Sequence, residues 1–175
     1  QQILLLTLAI VLPLVGLLAW YLGHEWQRTR IAAEQDVMGI ARQAANNLQR
    51  YLDEREALLA RMAMRARVRS LNPADCDPVF KDLMGLHEEL LTLGLRDKQA
   101  RLVCSFLANP PAAEAVAQAE WFTEGLRVNR FHASNALRGP TRWVSVLTHP
   151  VHNDAGEVSG LLVMPIDLNA LRTHA

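Results

Sequence analysis

The sequence is short of several things, and each shortage removes a class of function. Formal net charge is zero, with 18 Lys and Arg against 18 Asp and Glu, so there is no basic footprint for nucleic acid. The two cysteines, Cys76 and Cys104, are too few for a disulfide scaffold and lack the neighbours of a zinc site. No Gly-rich phosphate loop and no Ser-His-Asp or Cys-His arrangement stands out. Ser105, directly after Cys104, reads as a strand residue rather than a nucleophile. His149 and His152 sit three apart, which in a strand puts them on opposite faces and disfavours joint metal ligation. There is no internal repeat and no low-complexity tract. The expectations are therefore no enzymatic activity in this segment, no metal, no cofactor and no nucleic-acid partner.

What is present begins with a run free of charge. Ile3 to Leu22 is nearly all aliphatic, and twenty helical residues cover roughly 30 Å, the thickness of a bilayer's hydrocarbon core. Trp20, Tyr21 and Trp26 follow where interfacial aromatics sit. Pro13 and Gly16 fall inside the run, and both are tolerated in membrane helices. A cleaved signal peptide is the alternative, but its apolar part is shorter and Leu-Ala-Trp-Tyr-Leu-Gly-His is a poor cleavage site. Residues 1–23 are expected to form a transmembrane helix. The sequence starts at Gln1 and is expected to be cut short there, ahead of which a basic flank would lie, so charge does not give the orientation.

His24 to Arg69 has no proline, one glycine, and many strong helix formers. Val37, Ala41, Ala44, Leu48, Tyr51, Leu58 and Met62 recur at spacings of four and three, with Arg55 in the one gap, which makes an amphipathic seam. The near-heptad spacing permits pairing with a second copy, and packing on the chain's own domain is the other reading; both can hold at different heights. Residues 24–70 are read as a long helix. Arg61, Arg65, Arg67 and Arg69 crowd its end, as a ligand patch or as a solvated face that suits the helix dipole.

Asn72-Pro73 stops this helix, and Asp77-Pro78 starts a short one, Asp as N-cap and Pro at the first helical position. Leu90 to Leu95 and Arg101 to Phe106 read as antiparallel strands around the turn Arg96 to Ala100. Asn109-Pro110-Pro111 breaks the chain, Ala112 to Val128 is helical in composition, and Phe131 to Ala136 is a short strand. Two β-rich runs, Trp143 to Val151 and Val158 to Leu168, flank Asn153-Asp154-Ala155-Gly156, a hairpin signal. The order predicts an α+β fold with a five-stranded antiparallel sheet packed on a long N-terminal helix, preceded by one transmembrane helix.

These residues, in this order, resemble the extracytoplasmic Cache sensor family, PAS-like in fold, and within it the membrane-distal half of double-Cache domains. Asp97 to Ser105 is similar to the family's Asp-x-x-Gly-x-Val-x-Cys-Ser. Trp121-Phe122 is similar to its aromatic pair, Pro150-Val151 through Gly156 and Gly160 to its Pro-Val-x-x-x-x-Gly-x-x-x-Gly, and Ile166-Asp167-Leu168 to its strand-ending Asp. Ala100 stands at the position of the turn Gly, so a turn without positive φ is expected there. The Arg and Tyr that flank the Trp in amino-acid-binding members are Ala119 and Phe122 here, and their later Tyr-x-Asp has no clear match near Ser134 to Ala136. The α-carboxylate clamp is thus largely missing.

The resemblance implies an input module of a bacterial transmembrane receptor. A histidine kinase or diguanylate cyclase is the preferred output and a chemoreceptor the next. The sensor domain is expected over residues 71–175 and beyond the chain end, in the periplasm or outside the cell, on a chain held in the inner membrane. Expected partners are a small-molecule ligand, the membrane and a second copy through the long helix; a structural or protein-interaction module without ligand is the alternative. Candidate ligand residues are Trp121, Phe122, Ser134, Arg142, Trp143 and Asp167. Asp167 could hold an amine or cap the helix beside it. Trp121 and Phe122 could wall a pocket or fill the core. Arg142 and Trp143 face opposite sides of their strand, in an order the pattern leaves open. Cys76 precedes the short helix and Cys104 lies in the second strand, so a disulfide between them is expected, worth roughly 3 kcal/mol by loop entropy.

Overall fold

A computed structural model describes the backbone of residues 2–84, 90–105, 107, 110–139 and 141–171, and the side chains of residues 13–18, 20–21, 38–83, 90–105, 107, 110–139 and 141–170. The chain divides into two compact units, Gln1–Leu48 and Gln49–Ala175. The first belongs wholly to helix α1 (Gln2–Ala63), which includes Pro13. No helix among the described residues is long and apolar enough to cross a membrane. Most of the apolar run 3–22, the expected transmembrane segment, has side chains outside those described.

The second unit starts with the last turns of α1. There Leu59 and Met62 are buried and Leu58 packs against the same core, so the seam read from the sequence faces the domain at this height. Arg55, the gap in that seam, is buried too, its guanidinium 4.7 Å from the centre of the Tyr51 ring. The helix stops short of Arg69, because Arg65 takes an extended conformation (φ −71°, ψ 135°) before the single turn α2 (Ala66–Arg69). Of the arginines that crowd this end, Arg61, Arg65 and Arg67 are exposed, as the solvated-face reading has it, and three of the four also meet carboxylates of the chain. Arg65 makes a two-point bond to Asp77, Nε to Oδ2 at 2.6 Å and Nη2 to Oδ1 at 3.1 Å. Arg67 faces Asp75 at 3.4 Å, and Arg69 reaches Asp154 and the His152 carbonyl.

Asp77 also caps α3 (Val79–Met84), accepting the Val79 N–H at 3.1 Å, as its place before Pro78 implies. Then come β1 (Gly94–Asp97), β2 (Leu102–Ser105), α4 (Ala113–Ala117), α5 (Glu120–Val128), β3 (His132–Ala133), β4 (Leu137–Arg138), β5 (Trp143–His152), β6 (Val158–Asp167) and α6 (Leu168–Leu171). All strands pair antiparallel in the order β2-β1-β6-β5-β3, with β4 also on β5.

The sheet has six strands rather than five. The run read as one strand over 131–136 yields β3, and β4 follows at 137–138. Both are two-residue pieces on β5, separated where Ser134 turns its hydroxyl onto the Val146 N–H at 2.9 Å. Leu90 makes only an isolated bridge, to Ile166, and β1 proper begins at Gly94. The helix expected over 112–128 is two helices, because Ala119 is extended (φ −73°, ψ 133°). The β1–β2 turn is also a correction: Ala100 has φ 61°, a left-handed conformation that strains a residue with a Cβ. Its surroundings hold it there. Ala100 N donates to Asp97 O, and the Asp97 carboxylate accepts the Gln99 and Arg101 N–H groups at 3.0 and 2.9 Å. The Ala100 side chain is buried.

The β5–β6 hairpin closes as its residues imply. Asn153 Oδ1 accepts the N–H groups of Ala155 and Glu157, and Gly156 takes φ 79°. Gly160 has a different task. A Cβ there would lie 2.4 Å from the Arg96 carbonyl, so β1 approaches β6 closely only because position 160 is bare.

Alternation along the strands separates two faces. Leu147, Val151, Leu162, Met164 and Ile166 join Leu59, Met62 and Phe80 in one buried cluster on the α1 side. Val146, Leu161 and Val163 join Ala100, Val116 and Phe122 in another on the α5 side. Each such side chain contributes about 1.5–3 kcal/mol when fully buried. Cys76 and Cys104 are joined by a disulfide on the α1 side, Cα atoms 5.7 Å apart.

Candidate ligand site

The α5 face carries one of several clefts formed by the described residues. Strand β1 and the residues before it present Thr92, Gly94 and Arg96, and β5 and β6 add Val146, Val163 and Pro165. Their opposite numbers Leu93, Leu95, Leu162 and Met164 lie in the α1-side core. Above this floor stand Val116 of α4 and Trp121 of α5, with Pro110 and Pro111 in the segment leading to α4. The enclosed volume is about 230 Å³.

Local geometry explains the roof. Proline has no N–H to donate to a strand ladder, and the pair Pro110-Pro111 carries the chain from β2 to the face that α4 and α5 cover. The extended Ala119 then redirects the helix, and its carbonyl accepts from Phe122 and Thr123 N–H at 3.0 and 3.1 Å. α5 lies very close to the sheet, because a Cβ on Gly125 would sit 2.7 Å from Thr148 Oγ1 and 3.2 Å from Leu161 Cδ1. The helix ends at Asn129 in the left-handed conformation, φ 52°, a residue that tolerates it.

The wall is almost wholly apolar, and its polar groups are few. Arg96 is 5% exposed. Its Nη1 donates to Ala100 O at 2.6 Å and its Nη2 to Pro111 O at 3.0 Å, so it ties the turn and the roof together. Burial pulls its pKa below the ordinary guanidinium value. Thr92 Oγ1 is buried without a hydrogen-bond partner.

The residues expected from the sequence are scattered around this cavity. Trp121 lines it and also lines a second cavity of about 450 Å³, on the side of Glu124, His132 and Ser134. Phe122 is 2% exposed and packs in the core, its ring edge-on to Trp121 at 5.8 Å; its neighbour is the wall. Ser134 borders the second cavity, with its hydroxyl spent on Val146 N–H and Asn135 O.

Asp167 lines neither cavity. It pairs opposite Val144 on β5 and therefore belongs to the α5 face. There Arg142 Nη1 donates to its Oδ2 at 3.0 Å and Asn169 N–H to its Oδ1 at 2.9 Å. The carboxylate thus acts as a cap and an ion-pair partner. Trp143, one residue on from Arg142, is 48% exposed and belongs by alternation to the opposite face.

Arg96 and Thr92 were missed. Arg96 was read as the first residue of a turn, and the alternation Thr92, Gly94, Arg96 was the available signal.

Solved structures share this architecture. The ligand-binding domain of Mlp24 with asparagine matches at a TM-score of 0.65 and 16% identity, over 80% of this chain and 59% of that one. The ligand-binding domain of the Campylobacter jejuni chemoreceptor Tlp3, in complex with 4-methylisoleucine, matches at 0.60 and 11%, over 74% and 56%. That of the Pseudomonas aeruginosa PAO1 amino acid chemoreceptor PctC, with GABA, matches at 0.53 and 18%, over 73% and 60%. The fold is that of a Cache-type sensor domain. The chain spans under two thirds of the length of these ligand-binding domains. They are ligand-binding domains by description, not enzymes. No protein-family model and no curated protein sequence matches the chain.

Proposed function

We propose that this chain is the extracytoplasmic small-molecule-sensing part of a bacterial transmembrane receptor, and that its ligand sits in the cavity between the sheet and α5. The observation that carries the reading is the cavity itself: a sheet face left partly uncovered, with one buried cation in a largely apolar wall. Such a lining is what small organic ligands use. A protein-interaction module would have that layer filled by its own side chains.

The route out of the site follows from the sheet. Val163 borders the cavity, while its neighbours Leu162 and Met164 pack in the core with Leu59 and Met62 of α1. A ligand that favours one packing of this sheet over another therefore biases the helix on the far face. Residues 1–23 would anchor the chain in the inner membrane, as the charge-free run supports, and a second copy would pair along α1. The disulfide is consistent with an oxidising compartment. The output would be a kinase, a cyclase or a chemoreceptor signalling domain, the last being the class of two of the structural relatives above.

A thermal-shift screen of the full chain in detergent against small metabolites tests this. Gly94 lies on the cavity floor, and a Cβ there meets only Cys104 O at 3.6 Å, so Gly94→Leu should fold and fill the cavity. A compound that stabilises the protein but not Gly94→Leu supports the reading. Stabilisation equal in both proteins sinks it.

A further inference from the structure

The class of ligand can be read from the charges around the same cavity, an inference that rests on the sensor reading just proposed. Arg96 donates two of its five N–H groups, both to neutral backbone carbonyls. Among the described residues no carboxylate pairs with it, and burial is what shifts its pKa. A buried cation without an opposite charge is costly, and an entering anion would relieve that cost.

The complementary observation concerns acids. Among the described residues no Asp or Glu lines the cavity. Asp167, on the same sheet face beyond Pro165, is held by Arg142 and by the Asn169 N–H. An ammonium group entering here would find no counter-charge among the described residues and would face a guanidinium.

The third observation sets the ligand's size. Thr92 precedes Arg96 by four residues along a near-extended segment, which places their Cα atoms at most about 13 Å apart. Gly94 lies between them with no side chain, Ser105 of β2 and Val163 of β6 pair opposite it, and Val116 and Trp121 stand above. The cavity thus has a cation at one end, and the rest of its wall is apolar but for Ser105 and for Thr92, whose Oγ1 is shut off from the cavity. Its volume of about 230 Å³ equals roughly seven or eight waters of the liquid, enough for a small monocyclic compound.

We infer that the cavity takes a small organic carboxylate that lacks an α-ammonium group. The carboxylate meets Arg96, and the apolar body lies over Gly94 against Val163 and Trp121.

Calorimetry on the full chain in detergent, with phenylacetate, 4-hydroxyphenylacetate, phenethylamine and L-phenylalanine as probes, decides the matter. The two simple carboxylates should bind, and the amine and the amino acid should bind at least about tenfold more weakly. Arg96→Gln should weaken both carboxylates about tenfold or more, the scale of a charge-assisted bond, and Arg96→Lys should restore part of that loss. The ranking of probes on the unmodified protein stands even if Arg96→Gln fails to fold. Equal or tighter binding of phenethylamine or L-phenylalanine overturns the inference and leaves the sensor reading intact. Failure of all four probes also overturns it, while a hit of another class in the metabolite screen, lost in Gly94→Leu, keeps the sensor reading. A screen with no hit of any class removes both.

Discussion

Arg142 and Asp167 meet across the ends of β5 and β6, guanidinium Nη1 to carboxylate Oδ2 at 3.0 Å. The chain therefore supplies its own cation to the carboxylate that the family resemblance assigns to a ligand. The Arg142 side chain is 46% exposed, and a pair so wet contributes about 0–1 kcal/mol. Asp167→Asn should change affinity for a ligand of the α5-face cavity by less than about fivefold, the most that such an energy allows, as read by calorimetry. Loss of binding in that variant would return Asp167 to the site.

Gly125 sets the distance between α5 and the sheet. Gly125→Ala places a methyl against Thr148 and Leu161 and should cost about 1–3 kcal/mol, the usual price of overpacking. Because α5 carries Trp121, ligand affinity should fall with it. Gly156→Ala makes the contrast: nothing lies within 4 Å of its Cβ, but φ is 79°, so it should lower stability by about 1 kcal/mol with affinity unchanged. Denaturant melts and calorimetry on both variants check the pair.

The disulfide closes a sequence separation of 28 residues, worth about 3–4 kcal/mol on the loop-entropy argument. Cys76→Ser with Cys104→Ser should lower unfolding free energy by roughly that amount and make stability indifferent to reductant. A double variant as stable as the parent, or two free thiols in peptides from protein made in the periplasm, would contradict the bond.

Stability should fall with acid in two stages. His149 has its pKa lowered, chiefly by burial. A base held neutral in the fold contributes stability that is present above its unfolded value and weakens as pH drops below about 6.5. Asp77 has its pKa lowered, chiefly by the hydrogen bonds from Arg65. Its contribution is present above the unfolded value and is lost as pH falls below about 4 towards the folded value. Melting temperature against pH should show both declines, with His149→Gln removing the upper one and Asp77→Asn the lower. Asp77→Ala should also cost about 1–2 kcal/mol near neutral pH through loss of the α3 cap.

The parts of this fold that were legible in the sequence rest on short-range chemistry. Asp77-Pro78 announced a cap, Asn153 to Gly156 a hairpin, and the Leu58–Met62 spacing a buried face. The α+β class followed from their order. What stayed hidden depends on contacts distant in the chain. Ala100 keeps a positive φ because Asp97 and burial hold it there, and no local rule gives that from an alanine. Arg96 looked like a polar turn residue, since its burial comes from Pro111 and the roof rather than from its neighbours. Asp167 looked available because Arg142, 25 residues earlier, was not yet opposite it. Trp121 and Phe122 were indistinguishable in sequence, and the tilt of α5 sends one to the wall and the other to the core.

The central claim is that a small molecule occupies the space between the sheet and α5. Methyl-resolved NMR of the full chain in detergent, titrated with the most stabilising compound from the metabolite screen, tests it most directly. The account predicts that the methyl signals of Val116, Val146, Val163 and Leu102, which border the cavity, shift first and saturate together, with smaller shifts following at Leu162 and Met164 on the α1 side. Saturable shifts confined to Ala133 and Leu137 beside the second cavity, with the four cavity methyls unmoved, would contradict it.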